Sequence, residues 1–223
     1  MHQAVIFDLF ETLITEWGHR KYLKSEMCAD LGADREAFNR HWERLDEARY
    51  LGRVGFVEAL RYVCGQCGVE ADEAVLARML ALHVETKTAC LEYINPEVFK
   101  LLDVLRAKGL RLAIVSNCSA EEVMGIRQSK LDPYFDEIIL SCDVGLKKPD
   151  VRIYEEAARR LGVAPEVCAF VGDGGSHELE GARNAGMTAI QAKWYTNGHP
   201  SKRESMPGFA VAEEPMEVLR HIL

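Results

Sequence analysis

Long apolar runs are missing from this chain of 223 residues, and no stretch approaches the roughly 18 to 20 residues of a membrane-spanning helix. Basic residues are outnumbered 27 to 35, which leaves a net charge of -8 and no positive field suited to nucleic acid or an anionic membrane surface. The seven cysteines form no paired framework. An odd, scattered set fits reduced thiols and a cytoplasmic protein better than a disulfide-stapled scaffold. Cys64 and Cys67 make a CxxC, but structural zinc takes about four ligands and no second pair lies near. Repeats and low-complexity segments are absent, and residues 1–8 are strand-like rather than signal-like. What is present is 48% hydrophobic residues, enough for a real core.

The first apolar run, Ala4-Val5-Ile6-Phe7, ends on Asp8 and is followed by Leu9-Phe10-Glu11-Thr12-Leu13. A carboxylate at the carboxyl end of a buried parallel strand stands where open α/β sheets place their chemistry. From about Thr15 to Tyr93 the rhythm becomes helical, with stretches over 17–31, 34–51, 55–67 and 72–90 separated by glycine-bearing breaks. Val75, Met79, Leu82 and Thr86 fall on one face of the fourth. From Asn95 β and α patterns alternate. A helix opens at Pro96, then come strand 110–116, helix 119–129, strand 137–141, helix 150–161, strand 167–171, helix 177–185, strand 187–192, a short strand near 209–211 and a final helix.

Such alternation predicts an α/β fold, a Rossmann-like parallel sheet with helices on both faces and right-handed crossovers. The helical stretch reads as an insertion into that core. Residues 1–14 and 92–223 would form the core, and residues 15–91 an all-helical cap over the strand ends, where a lid can exclude water and select substrates.

Four clusters fall at the ends of predicted core strands: Asp8 with Thr12, Ser116 with Asn117, Lys148 with Pro149, and Gly172-Asp173 with Glu178. In this order, on a β/α alternation, they resemble the haloacid dehalogenase superfamily of hydrolases, in the subgroup with a helical cap after the first motif. The resemblance spans nearly the whole chain. It implies that Asp8 is a nucleophile forming an aspartyl-phosphate, and that Ser116, Asn117 and Thr12 serve phosphate binding. Lys148, or its neighbour Lys147, would neutralise charge. Asp8, the Phe10 backbone carbonyl, Asp173 and Glu178, directly or through water, would hold Mg2+. Charge balance agrees: three carboxylates against one lysine would repel a phosphate dianion unless a divalent cation were bound. In capped members the loop carrying Arg49, Tyr50, Gly52 and Arg53 contacts substrate, so Arg49 and Arg53 are candidate contacts. The implied partner is a small phosphorylated or otherwise anionic molecule, taken up by a monomer or homodimer.

Phe10 departs from the pattern. Phosphatases of the superfamily usually carry a second aspartate there, which protonates the leaving group and later activates water, help typically worth about 10²- to 10⁴-fold. Three readings follow: a phosphohydrolase acting on good leaving groups, a 2-haloacid dehalogenase, or a non-catalytic protein that binds metal or ligand and regulates. Dehalogenases share an aromatic residue at this position, since halide leaves without a proton, but lack the acidic metal pair and need a cap arginine, for which Arg20, Arg49 and Arg53 are candidates. Glu11 could replace the missing acid only if its side chain reaches the site. Cys118 follows the phosphate-binding pair closely enough for thiol modification to disturb it, with buried packing as the plain alternative.

Overall fold

The computed structural model describes residues 1–197 and 204–223. Strands β1 (Ala4–Phe7), β2 (Arg111–Ser116), β3 (Glu137–Leu140), β4 (Cys168–Gly172), β5 (Thr188–Ala192) and β6 (Ala210–Ala212) build one parallel sheet in the order β3-β2-β1-β4-β5-β6. Period-two alternation sorts its side chains. Val5 and Phe7 of β1 and Leu112 and Ile114 of β2 face the helix Pro96–Ala107 and the C-terminal residues Val218 and Ile222. Ala4, Ile6, Ala113 and Val115 face the helices Val151–Leu161 and Glu178–Asn184. Both faces of the sheet are therefore covered, which is why β1 reads as an unbroken apolar run.

Between β1 and the helix Pro96–Ala107 the chain is helical: α1 (Lys24–Leu31), α2 (Arg35–Glu43), α3 (Asp46–Tyr50), α4 (Phe56–Cys67) and α5 (Glu73–Thr88). These helices have an apolar centre of their own. Phe38 and Trp42 of α2 stack at 5.5 Å, Trp42 meets Phe56 of α4 edge-on at 5.6 Å, and Leu60, Val63, Leu76 and Met79 close it with no exposed surface. Asp34 and Asp72 accept hydrogen bonds from the first backbone amides of α2 and α5, which satisfies donors the helices cannot use internally.

The helical expectations need three corrections. The first helix begins at Lys24, not at residue 17, because Glu11 accepts from the Glu16 amide and Thr15 from the Trp17 amide, and such local bonds compete with helix formation. The 34–51 stretch breaks at Arg44-Leu45 into α2 and α3. The helix expected over 119–129 is two 3₁₀ turns, Ala120–Glu122 and Ile126–Gln128. There Glu122 accepts from the Ser119 amide at 2.9 Å and also pairs with Lys87 of α5 at 2.9 Å, while Glu121 is taken by Arg49 of α3. Consecutive glutamates drawn to partners on separate helices replace the side-chain spacing of a regular helix.

Gly52, just past α3, rests on the core. Its φ is +68°, and a Cβ there would lie 1.9 Å from the carbonyl oxygen of Cys142. Gly52→Ala meets both a left-handed backbone and a steric overlap, and is expected to destabilise the protein by about 2–3 kcal/mol, read from the urea midpoint. An unchanged midpoint would mean that the loop yields.

Candidate active site

The sheet order gathers the chemistry at one edge. β1 lies between β2 and β4, with Phe7 in register with Ile114 and with Val171, so Asp8, Ser116 with Asn117, and Asp173 leave three adjacent strands side by side. The Asp8 amide still donates to Val171 at 2.9 Å. Lys148 arrives on the segment after α7 (Ser141–Val144), ahead of α8 (Val151–Leu161). Asn117 fixes it there: its Oδ1 accepts from the Lys148 amide at 2.7 Å and its Nδ2 donates to the Lys148 carbonyl at 2.9 Å. Glu178 opens α9 (Glu178–Asn184), and its carbonyl accepts from the Tyr154 hydroxyl at 2.8 Å.

The Lys148 ammonium donates to Asp8 Oδ1 and, at 2.5 Å, to Glu178 Oε2. All three side chains are buried. Burial works against the charged lysine, but Asp8 and Glu178 override it and hold its pKa above the ordinary value. Burial raises the Asp8 pKa, with Lys148 opposing and Asp173 adding to the rise. Glu178 is pushed up to about 8 by burial and then by Asp8, against the pull of Lys148. Buried negative charge therefore exceeds the positive charge available. Asp8, Asp173 and Glu178 each bring a carboxylate oxygen within 4.8 Å of the others, a hard-oxygen set that fits a small divalent cation.

The remaining residues vary in where they sit. Thr12 donates to Asp8 Oδ2 at 3.3 Å, which orients the carboxylate. Ser116 Oγ is buried with no hydrogen-bond partner. Such an orphaned hydroxyl is costly and fits a ligand oxygen. Phe10 lines the same cavity, of about 150 Å³, as Asp8, Asn117, Lys148, Asp173 and Glu178. Glu11 borders it too, but its carboxylate accepts from Thr15 at 2.5 Å and from the Glu16 amide at 2.9 Å. A neighbouring cavity of about 330 Å³ shares Asn117, Lys148 and Ser176 and reaches Tyr50 of α3, Lys147 and His177.

Neither Arg49 nor Arg53 lines the cavity that holds Asp8. Arg49 is buried against Glu121, donates to Ser119 at 3.2 Å and lies 4.4 Å over the Trp42 ring. It borders a cavity of about 320 Å³ whose wall includes His83, Lys87 and Glu122 but not Asp8. Arg53 is exposed and faces another cavity, beside Asp150 and Arg152.

Two residues matter more than their sequence positions announce. Gly172 leaves room for Glu178: a Cβ there would fall 2.2 Å from Glu178 Oε1. Gln191, fully buried in β5, donates to the Asp173 carbonyl at 3.3 Å and accepts from the Met206 amide at 2.8 Å. A lone amide inside Ala189-Ile190-Gln191-Ala192 is the signal that could have found it, because a buried polar group needs partners.

Residues 2–186 match the family described as haloacid dehalogenase-like hydrolase. Over 98% of this chain and 96% of the relative, the sequence is 27% identical to a glyceraldehyde 3-phosphate phosphatase of Methanopyrus kandleri. A protein of the same description from Methanothermobacter thermautotrophicus is 31% identical over 85% of each chain. In fold, the crystal structure of a 2-haloacid dehalogenase from Pseudomonas syringae pv. Tomato DC3000 superposes with a TM-score of 0.72 at 24% identity, covering 99% of this chain and 97% of the other.

The uncompensated carboxyl gives a pH signature. A carboxyl raised above its unfolded value binds more protons in the folded state, so its contribution to stability falls as pH rises from the ordinary glutamate range towards about 8. In chelator, Tm is expected to fall across that interval more steeply for wild type than for Glu178→Gln, with Mg2+ restoring most at the upper end. Equal slopes would mean that Glu178 is not the excess charge.

Proposed function

Because the chain belongs to the haloacid dehalogenase-like hydrolases, we propose that it is a magnesium-dependent phosphohydrolase working through an aspartyl-phosphate on Asp8. The observation that carries this reading is the buried Lys148 ammonium held between Asp8 and Glu178, with Asp173 closing the acidic triad. Asp8 attacks phosphorus as the bond to the leaving oxygen breaks, and water later hydrolyses the acyl phosphate. Lys148 offsets charge on Asp8 and the substrate, Thr12 keeps the carboxylate aligned, and the orphaned Ser116 hydroxyl donates to a phosphoryl oxygen. Asp8, the Phe10 carbonyl, Asp173 and Glu178 would hold Mg2+, which supplies electrostatic stabilisation of the transferring phosphoryl group. The helices of residues 15–91 act as the cap, and Tyr50 brings that segment to the cavity beside the catalytic one.

Phe10 sets the substrate class. With Glu11 bound to Thr15 and the Glu16 amide, its carboxylate does not replace the acid that position 10 lacks. Small phosphorylated compounds whose leaving groups need little protonation, such as acyl and aryl phosphates, suit this site better than alkyl phosphates. The dehalogenase alternative is weakened by the arginines: among the described residues none lines the catalytic cavity or its neighbour, and Arg49 is engaged by Glu121.

The test is hydrolysis of p-nitrophenyl phosphate with Mg2+ and with chelator, alongside halide release from 2-chloropropionate. Phosphate release should vanish in chelator and in Asp8→Asn; metal-independent halide release would replace this reading, and silence in both assays would favour a non-catalytic protein. Phe10→Asp is expected to raise turnover of alkyl phosphates by about 10²-fold relative to aryl phosphates. An unchanged ratio would mean that position 10 does not set leaving-group preference.

A further inference from the structure

Beside the catalytic cavity lie two thiols that the proposed chemistry does not use. Ser116 and Leu140 are matched across β2 and β3, so Cys118 and Cys142 each leave neighbouring parallel strands two residues past a paired position. Parallel strands run about 4.8 Å apart, and beyond the last pair Cys142 lies in the short helix α7. Ser141 fastens the two exits together: its hydroxyl accepts from the Cys118 amide at 3.0 Å and donates to the Cys118 carbonyl at 3.1 Å. The two thiols are close enough that each shifts the other's pKa, while the Cys118 thiol donates to the Ser116 carbonyl at 3.8 Å. Cys118 is fully buried, whereas Cys142 is partly exposed.

We propose that Cys118 and Cys142 are an oxidative modification site, at which a hydroperoxide converts the thiol pair to a disulfide that displaces the phosphate-binding residues Ser116 and Asn117. Cys142, the sulfur open to solvent, attacks the peroxide oxygen; the O–O bond breaks, leaving a sulfenic acid on Cys142 and releasing one molecule of alcohol or water. The Cys118 sulfur then attacks the Cys142 sulfur, the S–O bond breaks, and a second water leaves. Two thiols are oxidised and one peroxide is reduced. The assignment of roles follows from surroundings. The neighbouring Cys118 thiol lowers the Cys142 pKa, against burial and the charges of Asp143 and Glu121, and Cys142 together with burial raises that of Cys118. The thiolate is the nucleophile.

Closing the pair draws the two sulfurs to a bond of about 2.05 Å and pulls the two strand exits together. Cys118 follows Ser116 and Asn117 directly, and Asn117 holds both backbone groups of Lys148, so the displacement reaches the phosphoryl cradle and the lysine beneath it. On the other side, Gly52 rests on the Cys142 carbonyl, which links the bond to the loop after α3. The disulfide itself is independent of the phosphohydrolase reading; its effect on turnover rests on that reading.

The experiment titrates the reduced full-length protein with hydrogen peroxide, maps disulfide-linked peptides by mass spectrometry under non-reducing conditions, and follows p-nitrophenyl phosphate hydrolysis. A Cys118–Cys142 linked peptide is expected, together with a loss of rate of roughly tenfold to a hundredfold, the scale of a displacement of about 1 Å at a reacting centre. Dithiothreitol should restore the rate, and Cys142→Ser should keep its basal rate and resist peroxide. Oxidation elsewhere while both thiols stay reduced would overturn the site, and that result is readable in wild type even if the protein hydrolyses nothing. A linked peptide with an undiminished rate in a protein that does hydrolyse the ester would overturn the displacement.

Discussion

The Lys148 ammonium, buried between Asp8 and Glu178, is the contact on which the rest of the site depends. Moving a charge out of water costs several kcal/mol unless partners replace the lost solvent, and here one cation serves two carboxylates with a third close by. Each surrounding feature keeps that arrangement in place. Asn117 fixes the lysine backbone, Gly174 donates to Glu178 Oε1 at 3.0 Å, Thr12 steadies the Asp8 carboxylate, and Gly172 leaves the space that Glu178 fills. The remaining negative charge makes the site receptive to a metal ion.

Phe10 alters the chemistry without altering the fold. Phe10 lines the cavity, and its ring packs against the apolar core and lies 5.6 Å from the Lys87 ammonium. Lys87 is itself held by Glu16 and Glu122, so the ring sits between the catalytic cavity and the ion pairs that connect α5 to the core. A carboxylate at position 10 would stand near that lysine as well as near Asp8. An acid there would therefore change the charge balance at the seat of the helical segment.

Much of this was legible in the amino-acid order. The four-residue run before Asp8, the strand ends at Ser116 and Gly172, and the Lys-Pro step at 148 all lie within a residue or so of their structural places, because β/α alternation and buried strands leave strong local patterns. What stayed hidden depends on distant partners. Arg49 looked like a residue for substrate and faces Glu121, seventy-two positions away; Glu121 and Glu122 looked helical and are each taken by a different helix. Asn117 gave no sign that its side chain, rather than its neighbouring amides, would carry weight. Side-chain direction at the end of an element is decided by what lies across the interface, which no local window contains.

The position of β1 in the sheet has a consequence for how the molecule assembles. Ala4 pairs with Arg111 on one side and with Cys168 on the other, so the strand leading to Asp8 is made early yet gains its second neighbour only after most of the chain exists. Contacts of such sequence separation close large loops and slow folding. Until β4 arrives, an apolar strand has one bare edge, which invites mispairing. The helices of residues 24–88, whose contacts are mostly local, can form meanwhile. The cluster around Asp8 is therefore among the last features the chain completes, and a nascent or partly unfolded chain holds Asp8 without the charges that surround it in the folded protein.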